Sequence, residues 1–214
     1  LYISADYLKM VSSVRVAPSI NIKLYIMLAL VLFFVIGCCG AVLLGRLSDI
    51  VDYLLYVDKK TGLPNREKLN IYIGEMAGKV LPEAFTCFTL NLDNLSELTK
   101  RFGYIVGDGV LKDFAGLVQL MGDTEGMRGY NGVGRFVVFF EECSSKKAAA
   151  MIRILDNQVE EYNSLNPEYP IRYTAAWATT EETDTYEIRE LLRLSQKKWK
   201  QMEKEKKDKT EEGT

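Results

Sequence analysis

A long uncharged segment near its start limits what the chain can fold into. The segment runs from Leu24 to Leu44, reads LYIMLALVLFFVIGCCGAVLL, and contains no Asp, Glu, Lys or Arg. At about 1.5 Å per residue in a helix, a segment of this length spans the roughly 30 Å hydrocarbon core of a bilayer. A secretory signal peptide is the alternative, but its apolar region is shorter and ends at a cleavage site with small residues. We therefore expect a transmembrane helix over residues 23–45, with the lipid bilayer as its partner.

The basic residues on either side of this segment predict its orientation. Fewer precede it than follow it: Lys9, Arg15 and Lys23 on one side, and Arg46, Lys59, Lys60, Arg66 and Lys68 on the other. Because cytoplasmic loops carry the excess of Lys and Arg, we expect a single-pass protein of the cell membrane whose larger, C-terminal part is cytoplasmic. The chain begins with Leu rather than Met, which indicates a fragment or a processed product. Residues 1–22 are then the remnant of an extracytoplasmic region.

Composition excludes several kinds of site. The chain has no histidine, and its four cysteines, Cys38, Cys39, Cys87 and Cys143, form no CxxC pair. Zinc sites and histidine-based catalysis are therefore excluded. The net charge of −2 and the pI near 5.5 give no electrostatic reason to expect nucleic acid as a partner.

The segment just after the membrane, residues 46–57, is predicted to be a linker helix. Its apolar residues recur at helical spacing and share one face: Leu47, Ile50, Val51, Leu54 and Leu55. Such a face either pairs with a copy of itself and carries movement inward, or packs on the domain that follows. The two interpretations are equally weighted.

The remaining pattern predicts one α/β domain. Gly62 and Pro64 break structure, and Asn65 is placed to cap a helix that runs to about Ala77. The predicted elements that follow are a strand (84–92), two short helices separated by a GYIVGDG bend (103–109), a hairpin with arms 126–130 and 135–140, a helix (146–162), a strand (171–179), a final helix whose inner face is Ile188, Leu191, Leu192, Ser195, Trp199 and Met202, and a charged, frayed tail. This order predicts an α/β sandwich of the ferredoxin-like kind with a mainly antiparallel central sheet.

Three phrases together resemble the GGDEF family, the diguanylate cyclases that condense two GTP molecules into cyclic di-GMP. The first is the opening motif, which we call the coupling motif: Asp58, Thr61, Gly62, Leu63, Asn65 and Arg66, with Lys60 where the family usually has leucine. The second is FTLNLDNLSELTKRFGYIVGDGVL. The third is the signature segment GVGRF, made of Gly132, Val133, Gly134, Arg135 and Phe136. The resemblance implies a nucleotide-cyclase-type sandwich over residues 58–205, followed by a charged tail at 206–214.

The departures from the family bear on metal binding. In the family, an aspartate ending the first strand and an acid in the signature hold two divalent ions on GTP. Here those positions are Asn91, Gly134 and Arg135. Magnesium prefers carboxylate oxygens, and an arginine at about 4 Å in an effective dielectric near 20 repels each unit of positive charge by roughly 4 kcal/mol. Asp93 is the nearest replacement, but it is interpreted as a helix cap, with Asn94 as the alternative. We expect no metal, no cofactor and no catalytic residue.

The nucleotide-binding positions are also altered. Asp108 matches the family's guanine-reading aspartate, but Thr99 and Ser96 stand where the family has asparagine and lysine. Asp108 is interpreted as a helix N-cap in preference to a base contact, so that Asp108 and Gly132 are weak nucleotide-binding candidates.

Two further family motifs are incomplete. The product-binding R-x-x-D motif falls on Asp123 and Gly126, with Arg128 out of register. The family's C-terminal phosphate contacts align with Met202 and Lys206.

The sequence therefore predicts a membrane-anchored, degenerate GGDEF domain that is inactive as a cyclase. It would act as a signalling or scaffolding module through a protein partner or through self-association, with Arg135 as a surface cation or as the partner of a carboxylate across an interface. The alternatives are a regulator that binds guanine nucleotide without turnover and, less favoured, an active diguanylate cyclase.

Overall fold

A computed structural model describes residues 21–122 and 126–212 in two compact units, one ending at Val51 and the other beginning at Asp52. The expectations for residues 1–20 and for Asp123 fall outside these ranges. Helix α1 (Ile22–Tyr56) buries none of its side chains. In the described part of the chain it is the one helix long and apolar enough to cross a membrane, by length and composition. Its insertion remains a prediction.

A four-stranded sheet forms the centre of the second unit. The strands are β1 (Thr86–Leu92), β2 (Gly126–Tyr130), β3 (Arg135–Phe140) and β4 (Tyr173–Thr179), in the order β2-β3-β1-β4. All three pairings are antiparallel, and both arms of the predicted hairpin are confirmed at the predicted residues. The register places Asn91 of β1 between Arg135 of β3 and Thr174 of β4.

Helices cover both faces of this sheet. They are α2 (Arg66–Met76), α3 (Leu95–Phe102), α4 (Tyr104–Gln119), α5 (Ser145–Leu165), α6 (Thr180–Thr183) and α7 (Ile188–Glu212). Strand side chains alternate between the faces: Phe88 and Phe136 belong to a buried cluster with residues of α4 and α5, whereas Phe139 belongs to a second cluster with Leu69 of α2 and Leu191 of α7. The predicted α/β sandwich with an antiparallel sheet is confirmed.

The predicted GYIVGDG bend is wrong, because α4 already begins at Tyr104. The chain changes direction between α3 and α4 at Gly103 alone, whose φ is 88°. Gly107 is buried in α4, where an added Cβ would clash with Oγ1 of Thr99 on α3. The glycine therefore permits close packing of two helices.

The final helix also differs from its prediction. Ile188, Leu191 and Ser195 are buried as expected, but Met202 is 40% exposed and does not belong to the inner face. The helix continues to Glu212, through most of the segment predicted to be a frayed tail.

Candidate functional site

The end of β1, the hairpin tip and α7 enclose an open cleft of about 380 Å³. We call it the tip cleft, and the residues that line it are Asn91, Leu92, Asp93, Leu95, Ser96, Val133, Arg135, Trp199 and Glu203. It contains Asn91 and Arg135, two of the positions that the family resemblance associates with metal binding. The sheet register produces this arrangement, because Asn91 and Arg135 are direct cross-strand neighbours.

Asp93 is the acid that the sheet places beside Asn91. The Nδ2 of Asn91 donates to Oδ1 of Asp93 at 2.9 Å, and Oγ1 of Thr174 donates to Oδ2 at 2.6 Å. The ammonium group of Lys206 lies 3.6 Å from Oδ2 and donates to Oγ1 of Thr174 at 2.7 Å. Both carboxylate oxygens therefore have protein partners, and a cation already lies beside one of them.

The interpretation of Asp93 as a helix cap is wrong. Asn94 occupies the N-cap position of α3, but its side chain makes no capping bond. That side chain instead donates to the carbonyl of Pro170 at 2.7 Å and accepts from the amide of Arg172 at 3.1 Å. It therefore joins the start of α3 to the segment before β4.

The donors of the tip cleft do not fit a pair of divalent cations. Magnesium binds carboxylate oxygens in near-octahedral geometry, but the oxygens of Asp93 already accept bonds from Asn91 and Thr174, and the ammonium group of Lys206 lies beside one of them. Arg135 lines the cleft as well, and its positive charge opposes a cation there. Across the described residues, no three Cys, Asp or Glu side chains gather closely enough to hold a metal ion.

The hairpin tip has an unusual backbone. Gly132, Val133 and Gly134 all have positive φ, at 83°, 52° and 75°. This conformation suits glycine, but it is strained for a β-branched residue such as Val133. The amide of Gly134 donates to the Tyr130 hydroxyl at 3.2 Å, and its carbonyl accepts from the amide of Leu92 at 2.8 Å. The loop is thus fastened to β1, and position 134 has little room for an acidic side chain.

Asp108 lies within α4, whose N-cap position is Gly103, so its interpretation as an N-cap is wrong. Its Oδ1 accepts a hydrogen bond from Nζ of Lys60 at 2.8 Å, in an ion pair whose side chains are 54% (Lys60) and 42% (Asp108) exposed. The hydrogen bond that Lys60 donates to Asp108 raises the pKa of Lys60. Sequence reasoning missed this pair, although the signal was present in Lys60, the one substitution singled out within the opening motif.

The coupling motif forms a compact loop. One carboxylate oxygen of Asp58 accepts bonds from the amide of Thr61 at 3.0 Å and from its hydroxyl at 2.9 Å. Gly62 supplies a turn with φ of 72°, and Leu63 is 2% exposed in the core. Asn65 caps α2, as predicted, by accepting from the amide of Lys68 at 3.1 Å.

This loop is bonded to its neighbours on both sides. The Nδ2 of Asn65 donates to the carbonyl of Leu55 at 2.7 Å, and its amide donates to the carbonyl of Tyr56 at 2.8 Å. The carbonyl of Pro64 accepts from the amide of Tyr130 at 2.8 Å. A second open cleft, lined in part by Asp58, Arg66, Gly132 and Val133, brings the motif together with the signature segment.

Arg128, which is out of register with the product-binding motif, makes contacts within the domain, and Phe136 of the signature segment packs in the core. Arg128 donates to the carbonyls of Met121 at 2.6 Å and Gly122 at 3.2 Å and lies over the ring of Phe140, and partial burial lowers its pKa. It therefore joins the segment that follows α4 to the sheet. Phe136 is fully buried in the core, so the last signature residue is a packing residue here.

Comparison with known proteins shows where the chain has relatives. The family described as "Diguanylate cyclase, GGDEF domain" matches residues 55–209. No curated protein sequence matches the chain.

Solved structures share the fold at low sequence identity. The coiled coil and GGDEF domain of DgcB from Caulobacter crescentus, in complex with c-di-GMP, is 15% identical, with 70% of this chain and 82% of that chain covered and a TM-score of 0.58. A diguanylate cyclase/phosphodiesterase from Caldicellulosiruptor saccharolyticus is 18% identical, with a TM-score of 0.55. The alignment covers 71% of this chain and 91% of that chain. LapD S helix-GGDEF-EAL from Vibrio cholerae is 14% identical, with a TM-score of 0.52. The alignment covers 63% of this chain but only 31% of the LapD chain.

Proposed function

The chain belongs to the GGDEF family, and we propose that it is a membrane-anchored member without cyclase activity that acts as a signalling or scaffolding module through protein contacts. The observation that carries the proposal is the state of the tip cleft. Asn91 and Arg135 line it at positions where the resemblance implies acids, Gly134 stands at the signature's other acid position, and Asp93 is already bonded to protein donors. Phosphoryl transfer depends on cations that neutralise the charge of the triphosphate.

The coupling motif supports a role in transmission. Three polar side chains of the motif make the bonds that shape its loop: Asp58 and Thr61 close the turn, and Asn65 bonds to the last turn of α1 and caps α2. A family scaffold with an altered metal site but an intact loop is the arrangement expected of a module that passes on a conformational signal.

Membrane attachment and self-association complete the proposal. Helix α1 supplies the candidate span, and the unequal distribution of basic residues favours a cytoplasmic GGDEF domain. The apolar face of residues 46–57 is exposed, with Leu47 at 56%, Ile50 at 55% and Leu54 at 55%. The relatives named above are described with a coiled coil or an S helix beside their GGDEF domains. Pairing with a second copy through this face would bury it.

An activity assay tests the loss of catalysis. The full chain, purified in detergent, is incubated with GTP and magnesium, and cyclic di-GMP is measured beside an active diguanylate cyclase under the same conditions. We expect no product from this chain. Synthesis of cyclic di-GMP by the wild-type protein would refute the proposal and restore the least favoured alternative.

Cross-linking in membranes tests self-association. Leu54→Lys places a charge in the middle of the apolar face and should reduce the cross-linked dimer strongly. Asp49→Lys introduces the same side chain on the opposite side of the helix and should leave the dimer unchanged. A monomeric wild-type chain, or equal effects of the two variants, would count against pairing through this face.

A second candidate is a regulator that binds guanine nucleotide without turnover. The observation that favours it is the position of the Asp108 carboxylate, which is 42% exposed and could receive N–H donors from a guanine edge. The DgcB relative was solved in complex with c-di-GMP. A nucleotide would have to displace Lys60 from Asp108. Thermal-shift titration of the full chain with GTP and cyclic di-GMP tests this, and no shift at millimolar ligand would eliminate it.

A further inference from the structure

The loop of residues 58–65 is a junction between three parts of the second unit. Through Asn65 it holds the carbonyls of Leu55 and Tyr56 at the end of α1, and through the carbonyl of Pro64 it holds Tyr130 of the hairpin. Its third polar contact is the ion pair between Lys60 and Asp108 of α4. The first two contacts each include a bond between two backbone groups, whereas the third depends entirely on two side chains.

The ion pair differs from the rest of the loop in its exposure. Both of its side chains are accessible, at 54% and 42%, whereas Leu63 in the same loop is 2% exposed. Exposed ion pairs contribute little net stability and are screened by salt. The Lys60–Asp108 contact can therefore open while Leu63 keeps the loop folded.

The position of Asp108 determines what the contact acts on. Asp108 follows Gly107, where α4 packs so closely on Thr99 of α3 that no Cβ would fit. Closely packed elements move together because their interface leaves no free volume. A displacement applied to Asp108 would therefore act on α3 and α4 as a pair.

We propose that Lys60 and Asp108 form a releasable clasp that couples the end of α1 to the α3–α4 pair. When the clasp is closed, a movement of α1 that displaces the loop reaches α4 as well as the hairpin. When it is open, the movement reaches the hairpin alone. The biological role of the clasp rests on the proposed signalling function. The mechanical coupling itself can be measured without a partner or a nucleotide.

Hydrogen–deuterium exchange of the full chain in detergent tests the ion pair. Lys60→Met and Asp108→Asn should each accelerate amide exchange in residues 104–112 by roughly two- to fivefold, the range that an exposed ion pair supports. The amide exchange of the double variant should be no faster than that of either single variant, and swapping the charges (Lys60→Asp with Asp108→Lys) should restore slow amide exchange.

Lys59→Met is the matched control, because Lys59 makes no salt bridge with any residue that the structure describes. This variant should leave amide exchange in residues 104–112 unchanged. Additive single effects, or no effect, would overturn the proposal.

A second comparison tests the coupling. Asn65→Ala removes the side-chain bond to Leu55 and should accelerate exchange in residues 104–112 in the wild-type background but not in the Lys60→Met background. Equal acceleration in both backgrounds overturns the clasp.

Raising the salt concentration provides a test without any substitution. High salt should reproduce the Lys60→Met pattern in the wild-type chain, and exchange that is independent of salt would contradict the clasp. Cyclic di-GMP synthesis by the wild-type chain would refute the proposed function but would leave these exchange results unchanged, so the two can fail separately.

Discussion

Val133 occupies a backbone conformation that suits glycine, at the tip of a hairpin whose strands are otherwise regular. Its φ is 52°, and its side chain is 81% exposed, so little burial compensates for the strain. The flanking Gly132 and Gly134 have the same sign of φ. The tip conformation is therefore maintained by its neighbours and by the bonds of Gly134 to Tyr130 and Leu92, and Val133 adopts it at a cost.

Val133→Gly should consequently stabilise the chain by about 1 kcal/mol, since strained residues of this kind cost roughly 1–3 kcal/mol and the added backbone freedom offsets part of the gain. Thermal unfolding of the full chain measures the effect. Val80→Gly is the matched control: Val80 is 83% exposed and has no positive φ, so this variant should be slightly destabilised. Loss of stability in Val133→Gly would show that the valine is not strained.

Returning an acid to the signature segment should also carry a structural cost. At Gly134 a Cβ would lie 3.1 Å from the carbonyl oxygen of Leu92, whereas at Gly132 it would meet nothing within 4 Å. Both residues have positive φ. Gly134→Asp should therefore lower the unfolding free energy by about 2 kcal/mol, and Gly132→Asp by about 1 kcal/mol. Equal costs in denaturant titrations would show that the contact with Leu92 relaxes freely.

At the scale of elements, local patterns predicted what depends on neighbours in sequence. The hairpin is specified by its Asn-Gly turn and its unbroken apolar arm, and both strands begin and end where predicted. The failures depend on tertiary contacts. GYIVGDG looks like a bend because glycines usually break helices. Gly107 instead lies within α4, where Thr99 of α3 comes so close that a Cβ would clash with it. Asp108 has the sequence context of a cap, yet it binds a lysine that lies 48 residues away.

The pairing of α3 with α4 leads to a prediction with an internal control. Gly107→Ala introduces a Cβ into contact with Thr99 and should destabilise the chain by about 1–3 kcal/mol, the usual cost of overpacking. Gly109→Ala is on the same helix with nothing within 4 Å of its Cβ, so it should stabilise the chain by up to about 1 kcal/mol through helix propensity. Urea unfolding distinguishes them. Stabilisation by both variants would mean that the two helices can separate at no cost.

At the scale of the whole molecule, the family scaffold is present, whereas an amide (Asn91) and a cation (Arg135) stand where the resemblance places acids. The sequence was sufficient to identify the missing acids, because Asn91 and Arg135 are substitutions within a recognisable motif. It could not reveal that Asp93 bonds to Thr174 and lies beside Lys206, residues that are 81 and 113 positions further along the chain. These distant partners are the physical reason that we do not expect Asp93 to serve as a metal ligand.

Ligand linkage tests this arrangement in the intact chain. A site that bound GTP and magnesium at one hundred times its dissociation constant would add about 2.7 kcal/mol of stability, enough to raise the melting temperature by several degrees in a protein of this size. We expect the wild-type chain to show no magnesium-dependent rise with GTP, because Arg135 lines the site and the carboxylate of Asp93 already has protein partners and a lysine beside it. Asn91→Asp combined with Arg135→Glu exchanges an amide and a cation for two acids, and a magnesium-dependent rise should appear in that variant. A rise in the wild-type chain that requires magnesium would contradict the loss of the site, whereas a rise with GTP alone would favour the regulator that binds without turnover.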